Sequence, residues 1–62
     1  MPTPDHYKMP IEPIDFIMAN DIPFPEGSII KYICRYKKKD GVKDLLKAKD
    51  YIERLIKQQE KA

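Results

Sequence analysis

Lys31, Arg35 and Lys38 recur about one helical turn apart along a single stretch of chain. Side chains at such spacings can converge on one anion. The planar guanidinium of Arg35 suits it to fork two phosphate oxygens, with the lysines as point charges beside it. Residues 31–39 carry five cations and no carboxylate, so nothing within the stretch neutralises them. The competing reading is the solvated back of an ordinary amphipathic helix, and spacing alone leaves both open. A second set, Asp44, Lys47 and Tyr51, falls on one side of a following helix at spacings of three and four. Lys47 adds a further candidate phosphate ligand. Tyr32 and Tyr51 offer rings on which a base can stack. Asp44 is suited either to pairing with Arg35 or to holding a metal.

Three further positions invite the same weighing. Glu26 is a first-turn carboxylate, which the helix dipole stabilises. Its functional alternatives are a magnesium or ribose-hydroxyl ligand, or a partner for a cation across an interface. Gly27 beside it permits close backbone approach. His6 and Tyr7 either form a stacking lip over a site on a neighbouring subunit or belong to a loose tail. Cys34 falls on the edge of an apolar arc and reads as a buried structural thiol.

The elements that must position these residues follow from apolar periodicity and chain breakers. Residues 1–12 have no helical period and hold several prolines, which predicts an extended arm. Pro13 suits a first helical turn. A short helix from there to about Asn20 places Ile14, Ile17 and Met18 on one face. The stretch "NDIPFPEG" breaks the chain. A second helix is expected from near Pro25 or Glu26 to near Lys39. Ile29, Ile30, Tyr32, Ile33 and Tyr36 lie on one arc of it, and Lys31, Arg35, Lys38 and Lys39 on the other. Asp40-Gly41 makes a turn, with Gly41 suited to a left-handed helix end. A third helix from Val42 to Lys57 or beyond carries a seam of Leu45, Ala48, Ile52 and Leu55, with Ile56 beside it. The sequence therefore predicts an all-α chain. A short helix precedes an antiparallel helical hairpin, in one helical domain over residues 13–62.

Size and composition bound the function. The chain has 62 residues, and a core this small is marginal alone. A single cysteine excludes an intrachain disulfide, and with one histidine it supplies too few ligands for a Cys/His zinc site. Packing and self-association remain, so a homo-oligomer is expected. The lone cysteine fits a reducing compartment. The polar, proline-rich start does not read as a signal peptide, and the apolar run Phe16–Ala19 is too short to span a membrane. The net charge is only +2. That opposes avid nonspecific DNA binding, which scales with phosphate contacts. The local concentration of cations instead suits a compact anion such as a nucleotide. There is no Gly-rich Walker loop and no Ser-His-Asp set.

The block "HYK", the block "IEPIDFI" and the long block "EGSIIKYICRYKKKDGVKDLLKAKDYIERLI" resemble the SaV-like family of small phage proteins. The pattern is His-Tyr, an Ile-Asp-hydrophobic helix and Gly-x-x-Ile-Lys-Tyr-x-x-Arg. A Lys-x-Gly turn and Asp-Leu-x-Lys-Ala-x-x-Tyr follow. Matching positions include His6, Tyr7, Asp15, Gly27, Lys31, Tyr32, Arg35, Gly41, Asp44, Lys47, Ala48 and Tyr51. The resemblance implies a helical, oligomeric, nucleotide-handling protein of phage origin, working in the cytoplasm of an infected bacterium. The family includes a nucleotide kinase that phosphorylates deoxynucleoside monophosphates without a Walker loop. This chain is little more than the shared module.

The first functional expectation is a module that holds a phosphorylated nucleotide, such as a cyclic host signal, in a cationic, tyrosine-lined pocket between subunits and sequesters it. That requires no metal and no positioned base. The alternative is a minimal nucleoside monophosphate kinase using ATP and magnesium, with Glu26 and Asp44 as metal ligands and the catalytic residues unassigned. A nucleic-acid-binding adaptor ranks third, because no base-reading constellation stands out.

Overall fold

A computed structural model describes residues 9–62 of the chain. Three helices account for the regular structure: α1 over Pro13–Ala19, α2 over Phe24–Arg35 and α3 over Val42–Lys61. No strand occurs among the described residues. The chain is all-α, as the apolar periodicity predicts.

Each boundary has a local cause. Pro13 occupies the first position of α1, where a missing N–H and a fixed φ cost nothing. At its other end the Ile22 N–H donates to the Ile17 carbonyl at 3.0 Å, and the Asp21 N–H to that of Met18 at 3.3 Å. This is a Schellman closure, and Asp21 takes the positive φ of 50° that it needs. α2 begins at Phe24, with Pro25 in its first turn.

α2 ends at Arg35 rather than near Lys39, and a single 3₁₀ turn follows over Tyr36–Lys38. The Tyr36 carbonyl accepts from the Gly41 N–H at 2.8 Å, which pulls the chain out of the α-helical path. Gly41 has φ 53° and ψ −119°. It supplies the expected positive φ, but as the N-cap of α3 rather than as a left-handed end of α2. Its conformation is one that side chains with a Cβ rarely adopt.

α3 packs chiefly on α2, and α1 packs on α2. Late α2 meets early α3 where Arg35 reaches Asp44. Early α2 meets the middle of α3 where Phe24 reaches Tyr51. The α1–α2 contact centres on Gly27, where an added Cβ would stand 3.1 Å from Cγ2 of Ile17.

The enclosed core is very small. Ala48, 2% exposed, is the one fully buried apolar side chain among the described residues. The predicted seam of α3 is only partly covered: Leu55 is half-buried, while Leu45, Ile52 and Ile56 are exposed. On α1, Ile14 and Met18 are also exposed, so Ile17 alone of the predicted trio packs inward. Cys34 is exposed rather than buried, because its edge of α2 turns away from the α3 contact. No described helix is long and apolar enough to cross a membrane.

Candidate functional site

The phase of α3 explains why a polar, aromatic cluster forms on one flank of the helix pair. With Ala48 marking the line toward α2, Asp44, Tyr51 and Lys47 lie about 40°, 60° and 100° to one side at 100° per residue. They meet the arc of α2 that carries Lys31, Tyr32 and Arg35. The Tyr32 and Tyr51 rings stack at 6.3 Å between centroids with 22° between planes. Phe24 meets Tyr51 edge-on at 6.0 Å.

Three cations surround the Tyr32 ring. The Arg35 guanidinium carbon lies 5.0 Å from its centroid, Lys47 Nζ 5.7 Å and Lys31 Nζ 5.9 Å. An aromatic face attracts cations at such distances. The ring therefore gathers charge from both helices at one place. Beside it opens a depression of ≈ 520 Å³ lined by Tyr32, Leu46, Lys47, Asp50, Tyr51 and Arg54. That volume is within the range of small-ligand pockets, ~300–1,000 Å³.

One edge of the Arg35 fork is taken within the protein. Its Nε donates to Asp44 Oδ2 at 3.2 Å and its Nη2 to Asp44 Oδ1 at 3.1 Å. The Asp40 N–H adds a third bond to Oδ2 at 3.4 Å. Asp44 is fully buried, and the Arg35 side chain is 22% exposed. The hydrogen bond from Arg35 holds the Asp44 carboxyl below its ordinary range, against the opposing effect of burial, and Lys47 adds to the lowering. The same pair raises Arg35. Of the two roles open to Asp44, pairing with Arg35 is the one adopted, and it occupies the Nε and Nη2 edge of the guanidinium.

The two carboxylates offered as metal ligands for the kinase alternative, Glu26 and Asp44, do not come together within one protomer. Asp44 has both carboxylate oxygens engaged. Glu26 lies on the opposite side of α2, about 180° from Arg35 and about 13 Å away along the axis. The two cannot close on one ion, and no group of three or more His, Cys, Asp or Glu side chains able to hold a metal occurs among the described residues. These residues do not fit a magnesium site. Lys38 is also displaced from its predicted place: it sits in the 3₁₀ turn beyond α2 and is not among the cations around Tyr32. His6 and Tyr7 lie outside the described residues.

Arg54, Leu46 and Asp50 join the site without having been singled out in the sequence. Arg54 stands three residues after Tyr51 and seven after Lys47, so the same helical spacing that grouped those two extends to it. Its Nε pairs with Asp50 Oδ2 at 3.1 Å, an exposed contact. The cationic lining of the depression is thus Lys47 and Arg54, with Lys31 across the Tyr32 ring.

A family model described as a protein of unknown function, DUF3310, matches residues 1–53. No curated protein and no solved structure matches the chain.

Proposed function

The chain belongs to the DUF3310 family of proteins of unknown function, and we propose that it is a nucleotide-binding module that retains its ligand without converting it. The observation that carries this reading is the gathering of Lys31, Arg35 and Lys47 around a tyrosine that stacks on a second tyrosine. The stacked rings are too close to admit a base between them. A base instead lies against Tyr51 and Leu46 in the depression, with its phosphate at Lys47 and Arg54. Arg35 acts as a positioning residue: it anchors Asp44 and holds Tyr32 in place.

The same reading treats α2 and α3 as an antiparallel hairpin, supported by the Arg35–Asp44 and Phe24–Tyr51 contacts, and the working form as a homo-oligomer. The resemblance to small phage proteins supports a role in the infected bacterial cytoplasm, where sequestering a cyclic or otherwise modified signalling nucleotide counters host defence. Retention is favoured over phosphoryl transfer because transfer relies on metal and charge placement, and Glu26 and Asp44 do not converge. A kinase would have to draw its acids from elsewhere.

The test is incubation of the purified protein with ATP, magnesium and a panel of nucleoside monophosphates and cyclic nucleotides, followed by separation of free, retained and converted species. A nucleotide retained and released intact by heat is the expected result. New diphosphates would overturn the non-converting reading, and no retention of any nucleotide would overturn the binding site. Tyr51→Ala should weaken binding by roughly 5- to 150-fold, the ~1–3 kcal/mol typical of a lost base–aromatic stack. Lys47→Ala should weaken it while leaving helicity unchanged.

A further inference from the structure

The flank of the helix pair opposite the tyrosines is apolar and unfinished. From the Ala48 line, Ile52, Leu45 and Ile56 lie about 40°, 60° and 80° to the side away from Tyr51. All three are exposed, Leu45 at 37%, Ile52 at 42% and Ile56 at 51%. On α2, Ile33 and Ile30 lie about 20° and 40° from Glu26 and far from Tyr32. Ile33 is 49% exposed. Because Tyr32 and Arg35 engage one flank of α3, the Ile33 arc borders the other. By this phase the Ile33 arc of α2 and the Leu45, Ile52 and Ile56 strip of α3 fall on the same side of the helix pair. At its N-terminal end on α2, Glu26 Oε1 is buried without a hydrogen-bond partner, a costly state for a carboxylate.

The rim of this surface identifies its occupant. Lys49 and Glu60 sit on the same edge of α3, about 100° and 120° from the Ala48 line. An α3 pair running antiparallel and centred near residue 54 sets Ile52 of one copy against Ile56 of the other. The same register sets Lys49 against Glu60 of the second copy, and two-fold symmetry repeats each contact. The described residues enclose little more than one alanine, which leaves a large apolar area to cover.

We propose that a second copy of this chain docks on the Ile52 and Ile56 face of α3, with its α3 antiparallel to the first and with Leu45 and Ile33 at the edge of the contact. The inference takes self-association from the functional reading above and assigns it to a flank that the nucleotide does not use. The basic, tyrosine-bearing flank then faces outward on both copies, and each copy carries its own site.

Sedimentation across a concentration series tests this directly. The wild-type chain is expected to associate. Ile52→Glu and Ile56→Glu should sediment as monomers with helical circular dichroism retained, since both positions tolerate exposure. Lys49→Glu and Glu60→Lys should each weaken association on the order of tenfold, because symmetry doubles every like-charge contact. The double exchange should restore it, and these exposed positions do not threaten the fold. A monomeric wild type overturns the proposal, as does unaltered assembly of Ile52→Glu, and charge exchanges without effect overturn the register. Nucleotide retention is measured on the same samples. A dissociated Ile52→Glu chain that has also lost its nucleotide overturns the two-sided arrangement. A wild type that associates and is dissociated by Ile52→Glu, yet retains no nucleotide, leaves this interface standing and removes only the binding reading.

Discussion

Replacing Ala48 by glycine tests the contact that sets Tyr51 and Asp44 opposite Tyr32 and Arg35. Ala48 is 2% exposed and lies in the interior of α3, against α2. The substitution removes one buried methyl, ~0.8 kcal/mol, and places glycine in a helix interior, ~1 kcal/mol. Together these amount to about 2 kcal/mol. A domain of this length is stable by roughly 3–9 kcal/mol, so the loss is a substantial fraction of the whole. At ~4–8 °C per kcal/mol for small domains, the melting temperature should fall by roughly 8–16 °C. Glu53→Gly is the control. Glu53 is exposed on the same helix, so it loses propensity alone and should fall by about half as much. Both are read by circular dichroism melts at one fixed protomer concentration, because association makes the melting temperature concentration-dependent. If Ala48→Gly falls no further than Glu53→Gly, Ala48 is not a packed contact and the α2–α3 pairing described above is wrong.

Acidification should reveal the Arg35–Asp44 pair. The Asp44 carboxyl is lowered mainly by its hydrogen bond from Arg35, so its contribution to stability is fully present above the ordinary carboxylate range, ~4. That contribution is lost as pH falls through the lower folded value. Asp44→Asn should lower the melting temperature at pH 7 and flatten its decline below about pH 4; an unchanged acid limb would show that the pair does not stabilise the fold. At Gly27, valine should destabilise by ~1–3 kcal/mol through overpacking, because even its Cβ would stand 3.1 Å from Ile17. A Gly27→Val chain that melts at the wild-type temperature would show that α1 is not seated on α2 at this point.

The helices themselves were legible in the sequence because their boundaries are written in local chemistry. Pro13 opens α1, and Asp40-Gly41 separates α2 from α3. The end of α2 was not legible, because the bond from the Gly41 N–H to the Tyr36 carbonyl is a backbone event to which no side-chain pattern points. Apolar periodicity also overstated the core. Leu45, Ile52 and Ile56 have the spacing of buried residues, but two helices alone cover only the line through Ala48 and Leu55. Cys34 is exposed for the same reason: an apolar arc tells which residues avoid water, not which neighbour is there to cover them. Arg54 was within reach of the spacing argument, since it continues the Lys47–Tyr51 flank by one more turn.

The Arg35–Asp44 pair shows how the two flanks depend on each other. An arginine on a helix back with no acid nearby in sequence reads as a free anion ligand. Its acid lies nine residues on, across the turn, and burial makes the pair a structural element rather than a surface one. Once Arg35 is committed to Asp44, the net positive charge left on that flank comes from Lys31 and Lys47 near Tyr32, with Arg54 partly offset by Asp50. Single-point ammonium charges around an aromatic pair suit electrostatic capture of a phosphate better than the bidentate positioning that phosphoryl transfer demands. The pair that occupies one edge of Arg35 also joins late α2 to early α3. Through that alignment it leaves the Ile52 and Ile56 surface on the far side, where a second copy can cover it without obstructing the tyrosines.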